Sequence, residues 1–184
     1  MKLLKKLFLI ILLLCVVSGC SKNNKTKVEK NTNGEDIFTD GIYDGNEWSV
    51  HYNSYIFDVD NTQGIKFVSK TNENNCAEIS YQKDKEAWLV IEEMINELVL
   101  DEENSPALEI KNTKVITNKG EHDALFVENS DIEDGVGEYR QILAFDYNDN
   151  TVSFFVKQTM TGDEISDTKM SDAFSYIIDS FEFK

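Results

Sequence analysis

Glu138-Tyr-Arg-Gln-Ile-Leu-Ala-Phe-Asp-Tyr147-Asn-Asp-Asn150-Thr-Val-Ser-Phe-Phe-Val-Lys-Gln158 is the stretch on which the fold turns. Asn148-Asp149-Asn150 splits it into two strands, 138–147 and 151–158, because Asn and Asp tolerate the backbone of a tight turn. Side chains alternate between the faces of a strand. Tyr139, Leu143, Phe145 and Tyr147 therefore point one way, and Ile142 and Ala144 the other. Phe154-Phe155-Val156 and, upstream, Ala124-Leu125-Phe126-Val127 are also apolar on both faces. A sheet with two apolar faces needs cover on both sides.

Two segments have the helical period that such cover requires. Between Lys83 and Leu100, Trp88, Ile91, Ile95 and Leu98 share one face with support from Ala87 and Met94. Asp84 reads as the N-cap, and Glu86 suits the positive end of the helix. Asp101 to Pro106 breaks it. Near the C-terminus Met170, Ala173, Phe174, Ile177 and Ile178 follow the i, i+3, i+4, i+7, i+8 pattern, and Phe181 and Phe183 read as a short closing strand. Further strands are expected at Trp48, Val50 and Tyr52, and at Ala77, Ile79 and Tyr81. A hairpin is expected from Tyr55-Ile56-Phe57 to Ile65-Lys66-Phe67, and strands at 108–117 and 123–129 join through Asn118-Lys119-Gly120. The result is an α+β domain, a mostly antiparallel sheet flanked by two helices.

This order resembles the PsbP-like fold, an α/β/α sandwich named for an extrinsic subunit of photosystem II and shared with the yeast Ran-binding Mog protein. The resemblance runs over roughly residues 43–184. It rests on Tyr55-Ile56-Phe57, on Asn118-Lys119-Gly120 leading into Ala124-Leu125-Phe126, and on Ile177-Ile178-Asp179-Ser180-Phe181. It implies architecture only, because members of the fold do unrelated jobs.

The N-terminus carries an address. Lys2, Lys5 and Lys6 precede 11 unbroken apolar residues from Leu7 to Val17. That length suits a signal peptide and falls short of the roughly 20 residues that span a bilayer. Val17-Ser18-Gly19-Cys20 then resembles the lipobox of bacterial lipoproteins, with valine where leucine is commoner. The resemblance implies a diacylglyceryl group on the sulfur of Cys20 and cleavage just before it. Residues 1–19 are thus expected to be a lipoprotein signal peptide, 20–37 the lipidated cysteine and a tether, and 38–184 one α+β domain. The destination is the extracytoplasmic face of a cell membrane. The abundance of Asn, Lys and Ile beside one arginine and one proline suggests a low-GC Gram-positive bacterium.

Residues 21–34 hold one apolar side chain, Val28, and read as flexible chain with an end-to-end distance of roughly 20 Å. Their four lysines suit anionic headgroups. Residues 35–184, with 11 basic and 33 acidic side chains, carry −22. Such acidity argues against nucleic acid, which needs a basic face. It favours solubility and leaves open a cationic or an unidentified protein partner.

The chemistry-bearing residues are few. Cys15 leaves with the signal peptide and Cys20 is lipidated, so Cys76 is the thiol of the mature domain. It reads as a small buried hydrophobe at a strand start rather than a reactive nucleophile. His51 and His122 have no partner at metal-binding or catalytic spacing. No Gly-x-Ser-x-Gly, His-Glu-x-x-His, Walker or dinucleotide motif occurs. Asp146, Asn148 and Asn150 copy the start of a calcium loop, but Thr151 replaces its glycine and Lys157 its bidentate glutamate. Asp131 to Glu138 reads as a solvated acidic loop. No catalytic residue, metal ligand or cofactor site is assigned. The expectation is a membrane-anchored binding or interaction module that performs no catalysis. The alternatives are a small hydrolase working through Asp131, Glu133 and Asp134, or an accessory solute-binding partner of a transporter.

Overall fold

The computed structural model describes residues 40–62, 64–99 and 108–184. The lipobox with Cys20, the whole tether and the break after the first helix lie outside these residues. The large sheet is built from seven antiparallel strands: β3 (Phe57–Asp60), β4 (Ile65–Ser69), β5 (Cys76–Lys83), β6 (Lys111–Thr117), β7 (Gly120–Glu133), β8 (Val136–Tyr147) and β9 (Asn150–Thr161). Their order is β3-β4-β5-β9-β8-β7-β6. The decisive hairpin, β8–β9, lies near its middle, paired from Val136↔Thr161 to Tyr147↔Asn150. Asn148 takes φ 54° at the turn, the left-handed conformation that Asn accepts.

Both apolar faces are covered, for the reason read from the sequence. On one face Ile142, Ala144, Val127 and Phe155 meet α1 (Ala87–Met94) and a 3₁₀ turn (Ile95–Leu98) through Ala87, Ile91 and Leu98. On the other, Leu143, Phe145, Phe154 and Val156 meet α2 (Glu164–Asp179) through Ala173, Phe174 and Ile177.

A second sheet, absent from the sequence reading, completes that face. It comprises β1 (Asp40–Asp44), β2 (Trp48–Asn53) and β10 (Glu182–Phe183), in the order β1-β2-β10. The expected strand at 48–52 and the closing strand thus belong to a small sheet of their own. Trp48 stacks on Phe181 with ring centroids 5.5 Å apart, and Phe183 stacks on Tyr147 at 3.9 Å. These rings extend the core beyond α2.

The first helix departs most from expectation. Its cylinder begins at Ala87, and Asp84 lies in the preceding turn at φ 56°. Glu86 occupies the cap position without a side-chain bond. The cap comes instead from the central hairpin: the Ala87 N–H donates to Asp146 Oδ1 at 2.8 Å. The far end is held the same way, Asn129 Nδ2 donating to the Leu98 carbonyl (2.8 Å) and Arg140 to that of Glu97 (2.5 Å). Carbonyls orphaned at a helix end are thus satisfied by the sheet. The buried stripe is Ala87, Ile91 and Leu98, with Val90 also buried, whereas Trp88 is 47% exposed. The helix is rotated so that the small Ala87 faces the sheet and the indole lies outside.

The acidic segment 131–138 is not a loop. The β7–β8 ladder continues through Asp131↔Glu138 to Glu133↔Val136. Asp134 (φ 51°) and Gly135 (φ 86°) close it as a two-residue turn. Gly137 permits the pairing, because a Cβ there would lie 1.9 Å from the Asp131 carbonyl oxygen.

Candidate functional site

A cleft of about 350 Å³ opens where the end of β9, the loop before β5 and the first turns of α2 meet. Its wall is built from two buried polar side chains. Asn75, 6% exposed, lies one residue before β5. The β5–β9 backbone register ends at Cys76↔Lys157. Asn75 Oδ1 carries the bonding further by accepting the Thr159 N–H at 2.6 Å. The side-chain amide therefore stands in for a strand.

Asp167, also 6% exposed, is the second. Oδ1 accepts from the Thr161 hydroxyl at 2.9 Å, Oδ2 from the Gly162 N–H at 3.1 Å, and both from the Thr161 N–H at 3.0 and 3.1 Å. A buried carboxylate is costly unless its oxygens are bonded in this manner. Gln158 Nε2 donates to the Asp167 carbonyl at 2.9 Å, and Ser171 Oγ bridges Gln158 Oε1 and the same carbonyl. Asp163 caps the helix by accepting the Ile165 N–H at 3.2 Å. Bonds from Ser166 and Ile165 hold the Asp163 carboxyl below the usual carboxylate range. The cleft is thus a corner lined by Asn, Thr and Ser side chains, Asp167 and Met170, and the surface it presents is more apolar than polar. Sequence reading did not find it. The available signal was Asp167 itself, a carboxylate one turn ahead of Met170 on the helix's apolar stripe.

At the other end of α2, His51 does have a partner, which corrects the expectation that neither histidine offers one. His51 Nδ1 lies 2.9 Å from Asp40 Oδ2, and the Tyr176 hydroxyl donates to Asp40 Oδ1 at 3.0 Å. Burial first, and then the Asp40 carboxylate, push the Tyr176 hydroxyl up to about 12. Ser180 lies beside them, but its hydroxyl bonds the His51 main chain, accepting from the N–H and donating to the carbonyl, both at 2.9 Å. The three residue types of a hydrolytic triad are thus neighbours without the hydroxyl–imidazole bond that activates a serine.

The remaining sequence candidates are built into the fold. Cys76 is 4% exposed, and burial pushes its thiol up. His122 stacks on Phe145 at 5.3 Å and meets the Thr117 hydroxyl at 2.9 Å, with its basicity lowered by burial. Asp146, first in the calcium-like run, accepts from Ala87 and from the Thr151 hydroxyl (2.7 Å). Asp131, Glu133 and Asp134 lie at the β7–β8 tip and do not line the cleft. Among the described residues no group of three or more His, Cys, Asp or Glu is placed to hold a metal ion.

The solution structure of cyanobacterial PsbP (CyanoP) from Synechocystis sp. PCC 6803 superposes with a TM-score of 0.53 at 10% identity, over 80% of this chain and 94% of that one. The domain has a PsbP-like α+β fold. A crystal structure from Bacteroides thetaiotaomicron VPI-5482 aligns at a TM-score of 0.44 and 12% identity, over 74% of this chain and 45% of that one. No protein-family model and no curated protein matches the sequence. At these identities the likeness concerns the fold, and function is argued from the residues.

Proposed function

We infer that the chain is an extracytoplasmic lipoprotein, anchored through a diacylglyceryl group on Cys20, whose PsbP-like domain is a binding module rather than an enzyme. The observation that carries the reading is Val17-Ser18-Gly19-Cys20 directly after a basic start and an apolar run of signal-peptide length. No described helix is long and apolar enough to cross a membrane. Two fatty chains hold a protein stably at a bilayer where one does so only marginally.

The domain's construction supports the binding half. Its polar clusters are mutually bonded, and its cleft presents neutral donors and acceptors around a carboxylate already saturated with hydrogen bonds. The described chain begins at Asp40, beside Tyr176 near the C-terminal end of α2, whereas the cleft lies at the N-terminal end. Along α2, Tyr176 lies roughly 9–15 Å from the cleft residues Met170 and Ser166.

Mass spectrometry of the membrane-extracted protein tests the anchor. A mature N-terminus at Cys20 bearing a diacylglyceryl mass is expected, and Cys20→Ser should leave unprocessed precursor or released protein. An unmodified mature N-terminus in the wild type refutes the assignment.

A further inference from the structure

We propose that the corner cleft between β9, α2 and the residue 71–75 loop binds a neutral, hydroxyl-rich ligand, a sugar unit of a glycan, with the side-chain amide of Asn75 as its central donor. The proposal deepens the binding-module reading and rests on it.

The argument starts from an unmatched donor. Asn75 is more than nine-tenths buried, and its orientation is fixed because only Oδ1 can accept the Thr159 N–H. Nδ2 has no partner among the described residues. No fully buried side-chain nitrogen or oxygen lacks a partner there either, so Nδ2 keeps some access to solvent, and Asn75 is among the residues that line the cleft. Asn72 repeats the pattern: Oδ1 accepts the Asn74 N–H at 3.1 Å, which leaves its amide donors to the same opening. The Thr159 hydroxyl, likewise without a partner among the described residues, is a donor and an acceptor between them.

Charge selects the ligand class. An anion would look for the free N–H groups of a helix start. Here the Ile165 N–H is taken by Asp163 and the Gly162 N–H by Asp167, and exposed Asp163 and Glu164 repel negative charge. A cation would look for an open carboxylate, but both oxygens of Asp167 are saturated. What is left are neutral donors and acceptors on a lining that is otherwise largely apolar. Adjacent sugar hydroxyls, each able to donate and accept, match that arrangement. Met170 offers an apolar surface to the C–H face of a ring. The volume is at the low end of the ~300–1,000 Å³ typical of ligand pockets, a size for one or two rings.

The test is a heteronuclear NMR titration of the full ¹⁵N-labelled chain in zwitterionic detergent micelles. The probes are maltotriose and triacetylchitotriose, with trigalacturonate and trialanine as the charged and peptide comparisons. The expected result is that a neutral trisaccharide moves the Asn75 side-chain amide signals and the backbone signals of 72–75 and 159–162, while trigalacturonate and trialanine do not. Thr159→Val, which keeps the side-chain shape, should weaken binding about tenfold with an unchanged melting temperature. Asn75→Asp, which keeps the acceptor and removes the donor, should abolish it. The proposal is overturned if neither neutral glycan moves these signals at millimolar concentration. It is equally overturned if trialanine or trigalacturonate moves them as strongly, or if binding survives both substitutions. The anchor stands or falls separately. A lipidated chain that ignores sugars refutes the cleft assignment, and an unlipidated chain that binds them refutes the anchor.

Discussion

Replacing Phe174 by alanine tests the architecture where it is most exposed to refutation. Phe174 sits in the middle of α2, is 2% exposed and packs on Phe57 with ring centroids 5.3 Å apart. Truncation removes the ring's burial and opens a cavity that the long, hydrogen-bonded strands beneath cannot collapse to fill. Such a change costs ~3–5 kcal/mol, against a total stability of ~5–15 kcal/mol. In a domain of this size each kcal/mol moves the midpoint by ~2–4 °C, so a fall of about 6–20 °C is expected. Trp88→Ala is the internal control. The larger side chain is 47% exposed on α1, and its loss should move the midpoint by only ~2–4 °C or less. Circular dichroism melts at one pH and salt concentration compare the two. If Phe174→Ala melts like the wild type, α2 does not cover the sheet. If Trp88→Ala is the more damaging, the rotation of α1 is wrong.

Three further outcomes follow from particular bonds. Asp146→Ala should cost about 1–2 kcal/mol by uncapping α1 from the hairpin side, and hydrogen exchange at residues 87–94 should accelerate more than exchange in β8. Cys76 should react slowly with a thiol reagent in the native protein and rapidly in urea, since it is buried and its thiol is pushed up. His122, whose pKa burial lowers, favours the neutral ring in the fold. The unfolded chain therefore binds a proton first, and stability should fall as pH drops through about 6.5 towards the depressed folded value. Asp179, raised by burial, acts in the opposite sense at more acid pH, so the readout is the difference between wild type and His122→Gln.

The two-sided sheet was legible because it is written in period two. Ile142 and Ala144 against Leu143 and Phe145 allow no arrangement with one wet face, and two amphipathic segments were available as cover. The turns were legible where their chemistry is local, as at Asn148-Asp149. The acidic character of 131–138 concealed a tight Asp134-Gly135 turn, because charge marks exposure and an exposed hairpin tip is as acidic as a loop. The start of α1 was misplaced because its cap is not local. Asp84 has the right side chain in the right place along the chain, but Asp146, 59 residues beyond Ala87, makes the bond.

The candidate site lies on the same boundary. The sequence by itself determined composition, the apolar stripe of α2 and the alternation of the strands, since each depends on neighbours a few residues apart. Only the tertiary structure decided that Asn75 meets Thr159, that Asp167 grips Thr161 and Gly162, and that His51 meets Asp40. The same holds for the separate sheet of β1, β2 and β10. Those pairings depend on which side chains the folded chain brings within about 3 Å, and hydrogen bonds at that range are set by strand register and helix rotation. A one-residue shift in either would leave the hydrophobic pattern readable and the cleft gone.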